Sequence, residues 1–112
     1  MPQIYRQRDL GYKRTATTAM FRVEMEDKSL WDVPVQAIAD SRDEHYREDK
    51  EDTIGSIRDG SLDDSEIHDW AGNNMNWDEV QAYAVPVPAS RQKKIDWQEG
   101  WSNGEKKIIG NI

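Results

Sequence analysis

The chain contains no cysteine, which excludes disulfides, thiolate nucleophiles and Cys-based zinc sites. It has no long apolar run, and nothing approaches the ~18 apolar residues of a membrane span. The first residues, MPQIYRQRDLGYKR, carry no apolar stretch behind their basic residues and do not read as a secretory signal. No G-x-S-x-G elbow, phosphate loop or G-x-G-x-x-G fingerprint occurs. These absences point to binding rather than catalysis, with no enzymatic activity, metal or cofactor expected.

Apolar residues are also scarce. They make up 36% of the 112 residues, against 33% charged. That composition supports one modest core in one domain. Five Trp and four Tyr nevertheless argue against disorder. The charge is unevenly placed: residues 20–90 hold 18 acids and 6 bases, residues 1–19 one acid and four bases, and residues 91–112 three acids and five bases. The net charge of −7 disfavours direct contact with nucleic-acid phosphates or anionic lipid. A cytoplasmic protein without a membrane or nucleic-acid partner is the expectation.

Three segments follow from this layout: a flexible basic arm over 1–18, an acidic domain over 19–88, and a Trp- and Lys-containing tail over 89–112. Phe21, Val23 and Met25 alternate with Arg22 and Glu24, and Trp31, Val33 and Val35 alternate again beyond Glu26–Ser29. This predicts a β-hairpin with one buried face. Pro34 closes the second strand. Helical spacing of Val35, Ile38, Ala39, Arg42 and Tyr46 predicts a helix over 35–50. Ile54 and Ile57 suggest a single helical turn, weakened by Gly55. A further helix is expected over 62–73, with acids in its first turn and Ile67, Trp70 and Ala71 facing inward. Asn76 and Glu79 form a capping box for a short turn carrying Trp77 and Val80. Residues 81–87 read as a third strand beside the hairpin. Asn103-Gly104 suggests a two-residue turn in a C-terminal β-ribbon flanked by Trp101 and Lys106. The fold class is therefore α+β: an antiparallel sheet of about three strands packed by two to three helices, with a C-terminal ribbon.

The candidate site is the acidic stretch from Asp43 to Asp69, with eleven acids and three bases. Asp43, Glu44, Glu48, Asp49, Glu51, Asp52, Asp63, Asp64 and Glu66 are the residues expected to meet a basic partner, in place of DNA phosphates or simply by opposite charge. A solvated helical surface is the other reading of the same acids. Trp97 and Trp101 are candidate partner anchors, since Trp is enriched in binding hot spots. Docking onto the domain's own sheet is the other reading for both. Asp64 and His68 have i,i+4 metal-ligand spacing, but His45 and His68 read as surface histidines. The run Asp59–Asp64 fails the EF-hand pattern.

The run from Phe21 through Trp31-Asp32-Val33-Pro34-Val35-Gln36-Ala37-Ile38-Ala39-Asp40-Ser41-Arg42 to Tyr46, with Ile67-His68-Asp69-Trp70-Ala71-Gly72-Asn73-Asn74-Met75-Asn76-Trp77, resembles small acidic bacteriophage proteins of unassigned function. The resemblance spans about residues 19–87. It implies a phage setting, in the host cytoplasm or in a virion, and carries no catalytic motif. The expected function is an inhibitor that binds and blocks a basic surface of a larger host protein. The alternative is a virion or assembly component that self-associates through basic ends and an acidic centre.

Overall fold

The structure, a computed structural model, describes residues 15–87 and 97–112. Residues 1–14 of the expected arm, residues 88–96 of the tail and the side chain of Trp97 lie outside the described residues.

Strands β1 (Met20–Glu24) and β2 (Leu30–Pro34) form the hairpin, pairing Phe21 with Val33 and Val23 with Trp31. Alternation places Phe21, Val23 and Val33 on a face from which solvent is excluded. The opposite face carries Arg22 and Asp32, a bidentate pair with Nε–Oδ1 at 2.7 Å and Nη2–Oδ2 at 2.9 Å. The connecting turn is held by Asp27, whose carboxylate accepts from the Ser29 amide and hydroxyl. Lys28 takes a left-handed conformation at φ 70°.

Pro34 ends β2, and its φ of −57° suits entry into helix α1 (Val35–His45). That helix is shorter than the 35–50 span that the periodicity suggests. Tyr46 leaves helical geometry, a 3-10 turn follows at Arg47–Asp49, and Lys50 is left-handed at φ 53°. Repulsion between Glu44 and Glu48 at i,i+4 works against continuation. The cap at Asp52 then starts helix α2 (Thr53–Arg58) by accepting from the Gly55 amide at 3.2 Å. Helix α3 covers Ser65–Asn74, beginning later than expected. Helix α4 (Trp77–Val80) has the full capping box, with Asn76 and Glu79 bonded reciprocally at 3.2 Å.

Strand β3 is only Val85–Pro86, because residues 81–83 form a turn. It pairs with β2 as expected. The C-terminal segment differs more. Residues 97–103 form helix α5 rather than the first arm of a ribbon, and only Lys106–Ile109 is a strand, β4. β4 pairs with β1. The sheet is antiparallel in the order β3-β2-β1-β4, so the α+β class stands. The reason for the helix is burial: Trp101 enters the core with no solvent exposure, which a strand of a detached hairpin would not provide.

The core lies between the sheet and the helices. Phe21 meets Trp101 edge-on at 5.6 Å, Trp101 meets Trp77 at 6.4 Å, and Trp77 meets Trp31 at 5.8 Å. Ile38, Ile54, Ile67 and Val80 fill the helical side. No helix among the described residues is long and apolar enough to cross a membrane.

Candidate partner-binding surface

The structure divides the acids of the 43–69 stretch into two groups. One group holds the helices together. Asp43 is 1% exposed, and its Oδ1 accepts from the Thr53 amide at 3.0 Å and hydroxyl at 2.6 Å. It ties α1 to α2 and is not part of a docking face, contrary to its place among the expected partner residues. Asp52 caps α2 and accepts from the Thr15 amide at 3.1 Å and hydroxyl at 2.7 Å. Glu51 and Glu66 both reach Arg42, at 3.0 and 3.9 Å. Arg42 also donates to the Thr53 hydroxyl at 3.0 Å and lies 5.0 Å from the centroid of the Tyr46 ring. This one largely buried guanidinium thus connects α1, α3 and the segment before α2. Glu44 pairs with Arg47 at 3.2 Å.

The second group faces solvent. Glu48, Asp49, Asp63, Asp64, Asp59 and Asp69 are exposed. None of the six has a basic partner among the described residues. Glu48 and Asp49 lie just before Glu51, and Asp63 and Asp64 just before Glu66. Glu51 and Glu66, each close in sequence to one exposed pair, converge on Arg42. The Ser61 hydroxyl and amide hold Asp59 below the usual carboxylate range. The Ser65 amide, aided by the Asp64 and Ser65 side chains, does the same for Asp63. Such carboxylates stay charged well into acid.

Beneath this surface, Gln36, Asp40 and Asp43 form a buried polar stripe on α1 at i, i+4 and i+7. Gln36 Nε2 donates to Asp40 Oδ1 at 2.9 Å, and Gln36 Oε1 accepts from the Thr17 amide at 2.8 Å. Burial, reinforced by the nearby charge of Asp43, pushes the Asp40 carboxyl up to about 7. The i, i+4, i+7 spacing was visible in the sequence, but it passes for an ordinary wet face until the packing of α2 is known.

Trp101, expected as a partner anchor, is a core residue whose Nε1 donates to the Met75 carbonyl at 3.2 Å. Nothing is described of the Trp97 side chain. An aromatic group that the sequence reading did not assemble lies instead at the end of α1. His45 meets Tyr46 at 4.7 Å and Trp70 at 5.3 Å, and Trp70 donates to the Ser41 hydroxyl at 2.9 Å. Tyr46 is 37% exposed. Its spacing of four from Arg42 was the available signal. His68 packs edge-on against Phe21 at 5.1 Å, and no group of three or more metal-ligating side chains occurs among the described residues. Comparison with protein-family models, with curated proteins and with solved structures finds no match for the chain.

Proposed function

We propose that this protein is a binding module whose exposed acidic layer docks on a basic surface of a larger protein and blocks it by occlusion. The observation that carries this reading is the set of six exposed carboxylates without basic partners among the described residues, in a 43–69 stretch whose other acids are held by internal bonds. Charge of one sign on a rigid layer steers association with an opposite surface. The resemblance to small acidic phage proteins makes the partner a bacterial host protein, with DNA mimicry as the special case in which that surface binds DNA. Function in the host cytoplasm without cofactor belongs to the same reading.

The test is affinity capture from bacterial lysate with the wild type and with a variant carrying Glu48→Lys, Asp49→Lys, Asp63→Lys and Asp64→Lys. One stoichiometric partner with a basic surface, lost in high salt and lost with the folded variant, is the expected result. Equal capture by wild type and variant would overturn the reading. Recovery of self-assembled bait alone, dissolving in salt, would favour a virion or assembly component instead.

A further inference from the structure

We propose that the outer edge of β4 receives an extended segment of the partner as a fifth strand, with a cationic side chain of that segment held by Asp63 and Asp64. The proposal rests on the acidic-layer reading for those two aspartates. The pairing edge is a separate observation.

Ladder parity identifies the available backbone groups. The Glu24 amide donates to the Glu105 carbonyl at 2.9 Å, in the same register as Arg22 with Lys107 and Met20 with Ile109. Lys107 and Ile109 therefore turn their amides and carbonyls toward β1, and Lys106 and Ile108 turn theirs outward. Those outward groups have no hydrogen-bond partner among the described residues. The opposite edge differs, since β3 is two residues long and one of them is Pro86, which resists pairing. Edge lysines commonly guard against pairing, but the Lys106 ammonium is folded back onto the Ser102 and Gly104 carbonyls at 3.2 and 2.9 Å.

The edge borders a groove of about 430 Å3 between β4 and the connection from α2 to α3. Ile57, Leu62, Ile108 and Ile112 give it apolar walls, and Asp63 and Asp64 line it as well. Arg58 also borders the groove, but its Nη2 donates to the Ala16 carbonyl at 2.8 Å. Side chains of an added strand would alternate between two environments. Those on the Ile108 side would enter the groove and meet the aspartates. The others would lie beside Lys107 on the outer face of β4, where a second cation is disfavoured. The occupant is thus an extended segment with apolar residues and one cation on its inner side, and neutral or acidic residues on its outer side. A second copy of β4 fits less well, because it offers no cation on the inner side beyond Lys106, whose ammonium is already bound to the Ser102 and Gly104 carbonyls.

The test titrates the full 15N-labelled chain with a blocked hexapeptide of alternating threonine and valine in which lysine replaces the middle valine. Saturable NMR shifts and slowed exchange at the Lys106 and Ile108 amides are expected. N-methylation of one alternate set of peptide amides, but not the other, should weaken binding at least about tenfold, as should Lys106→Pro, which removes an outward N–H. The methylated peptides leave the protein intact, so a poorly folded proline variant does not decide the result. A glutamate in place of the peptide's lysine should weaken binding by a similar factor, and the double change Asp63→Lys, Asp64→Lys should abolish it. Absence of saturable shifts, or equal binding of both methylated peptides, overturns strand addition. If the aspartate changes still abolish binding in that second case, the acidic layer survives as the docking surface. Binding unaffected by the aspartate changes overturns the cation site.

Discussion

Asp40 is 1% exposed, and burial together with Asp43 raises its carboxyl to about 7, from the ~3.9 of a free aspartate. Between those values the folded state keeps a proton that the unfolded chain has lost. The contribution of this group to stability therefore falls as pH rises from about 4 to 7. Asp40→Asn cannot ionise and should remove the decline. Thermal melts at pH 5 and pH 8 should show the variant gaining on the wild type by on the order of a few kcal/mol at the higher pH. An equal difference at both pH values would assign the pH dependence elsewhere. Gly104 presents a second residue-scale constraint. Its amide donates to the Gly100 carbonyl at 2.7 Å, and a Cβ there would collide with the Glu24 carbonyl. Gly104→Ala should cost about 1–3 kcal/mol in urea unfolding, because backbone rather than a flexible side chain must move. The glycine signalled a hairpin turn in the sequence. It is needed instead for the close approach of α5 to β1.

The elements divide the acids by role, which makes the division measurable. Asp52→Ala removes the cap of α2 and the anchor of Thr15, and should cost about 1–2 kcal/mol. Glu48→Ala and Asp49→Ala remove no side-chain bond among the described residues and should stay within about 0.5 kcal/mol of the wild type. A comparable loss from all three would mean that the exposed acids are structural too. Helix α5 is held by Trp101, so Trp101→Ala should destabilise the whole chain by about 3–5 kcal/mol. Chemical denaturation distinguishes this from a selective loss of binding, which would return Trp101 to the role of partner anchor. The element legible at both ends was α4, because its capping box is a local device of four residues. α5 was missed although Asp96-Trp97-Gln98-Glu99 repeats the spacing of the Asn76–Glu79 box, because Asn103-Gly104 reads as a hairpin turn and the inward aromatic Trp101 is satisfied by long-range contact with Met75, Trp77 and Phe21.

At the scale of the molecule, a net charge of −7 opposes compaction through self-repulsion. Among the described residues the pairs at Lys28 and Arg47 are exposed and screened, while those at Arg22 and Arg42 are partly buried. Raising salt from about 0.01 to about 0.3 M should therefore raise the melting temperature by a few degrees. Association with a basic partner should weaken over the same range. A melting temperature that falls with salt would show that the Arg42 and Arg22 pairs outweigh the repulsion.

The hairpin, the α+β class, the capping box of α4 and the excess of negative charge could be read from the sequence alone. Those properties are local: a period of two, a period near 3.6, a cap and a count of charges all lie within a few residues. Tertiary structure decided which acids are available. Asp43 and Glu48 are five residues apart and indistinguishable by composition, yet one is sealed against Thr53 and the other faces water. It also decided that Lys106–Ile109 completes the sheet beside β1. Strand partners far apart in sequence are chosen by the burial of Phe21, Val23 and Trp101, a sum over the whole core that no local pattern contains.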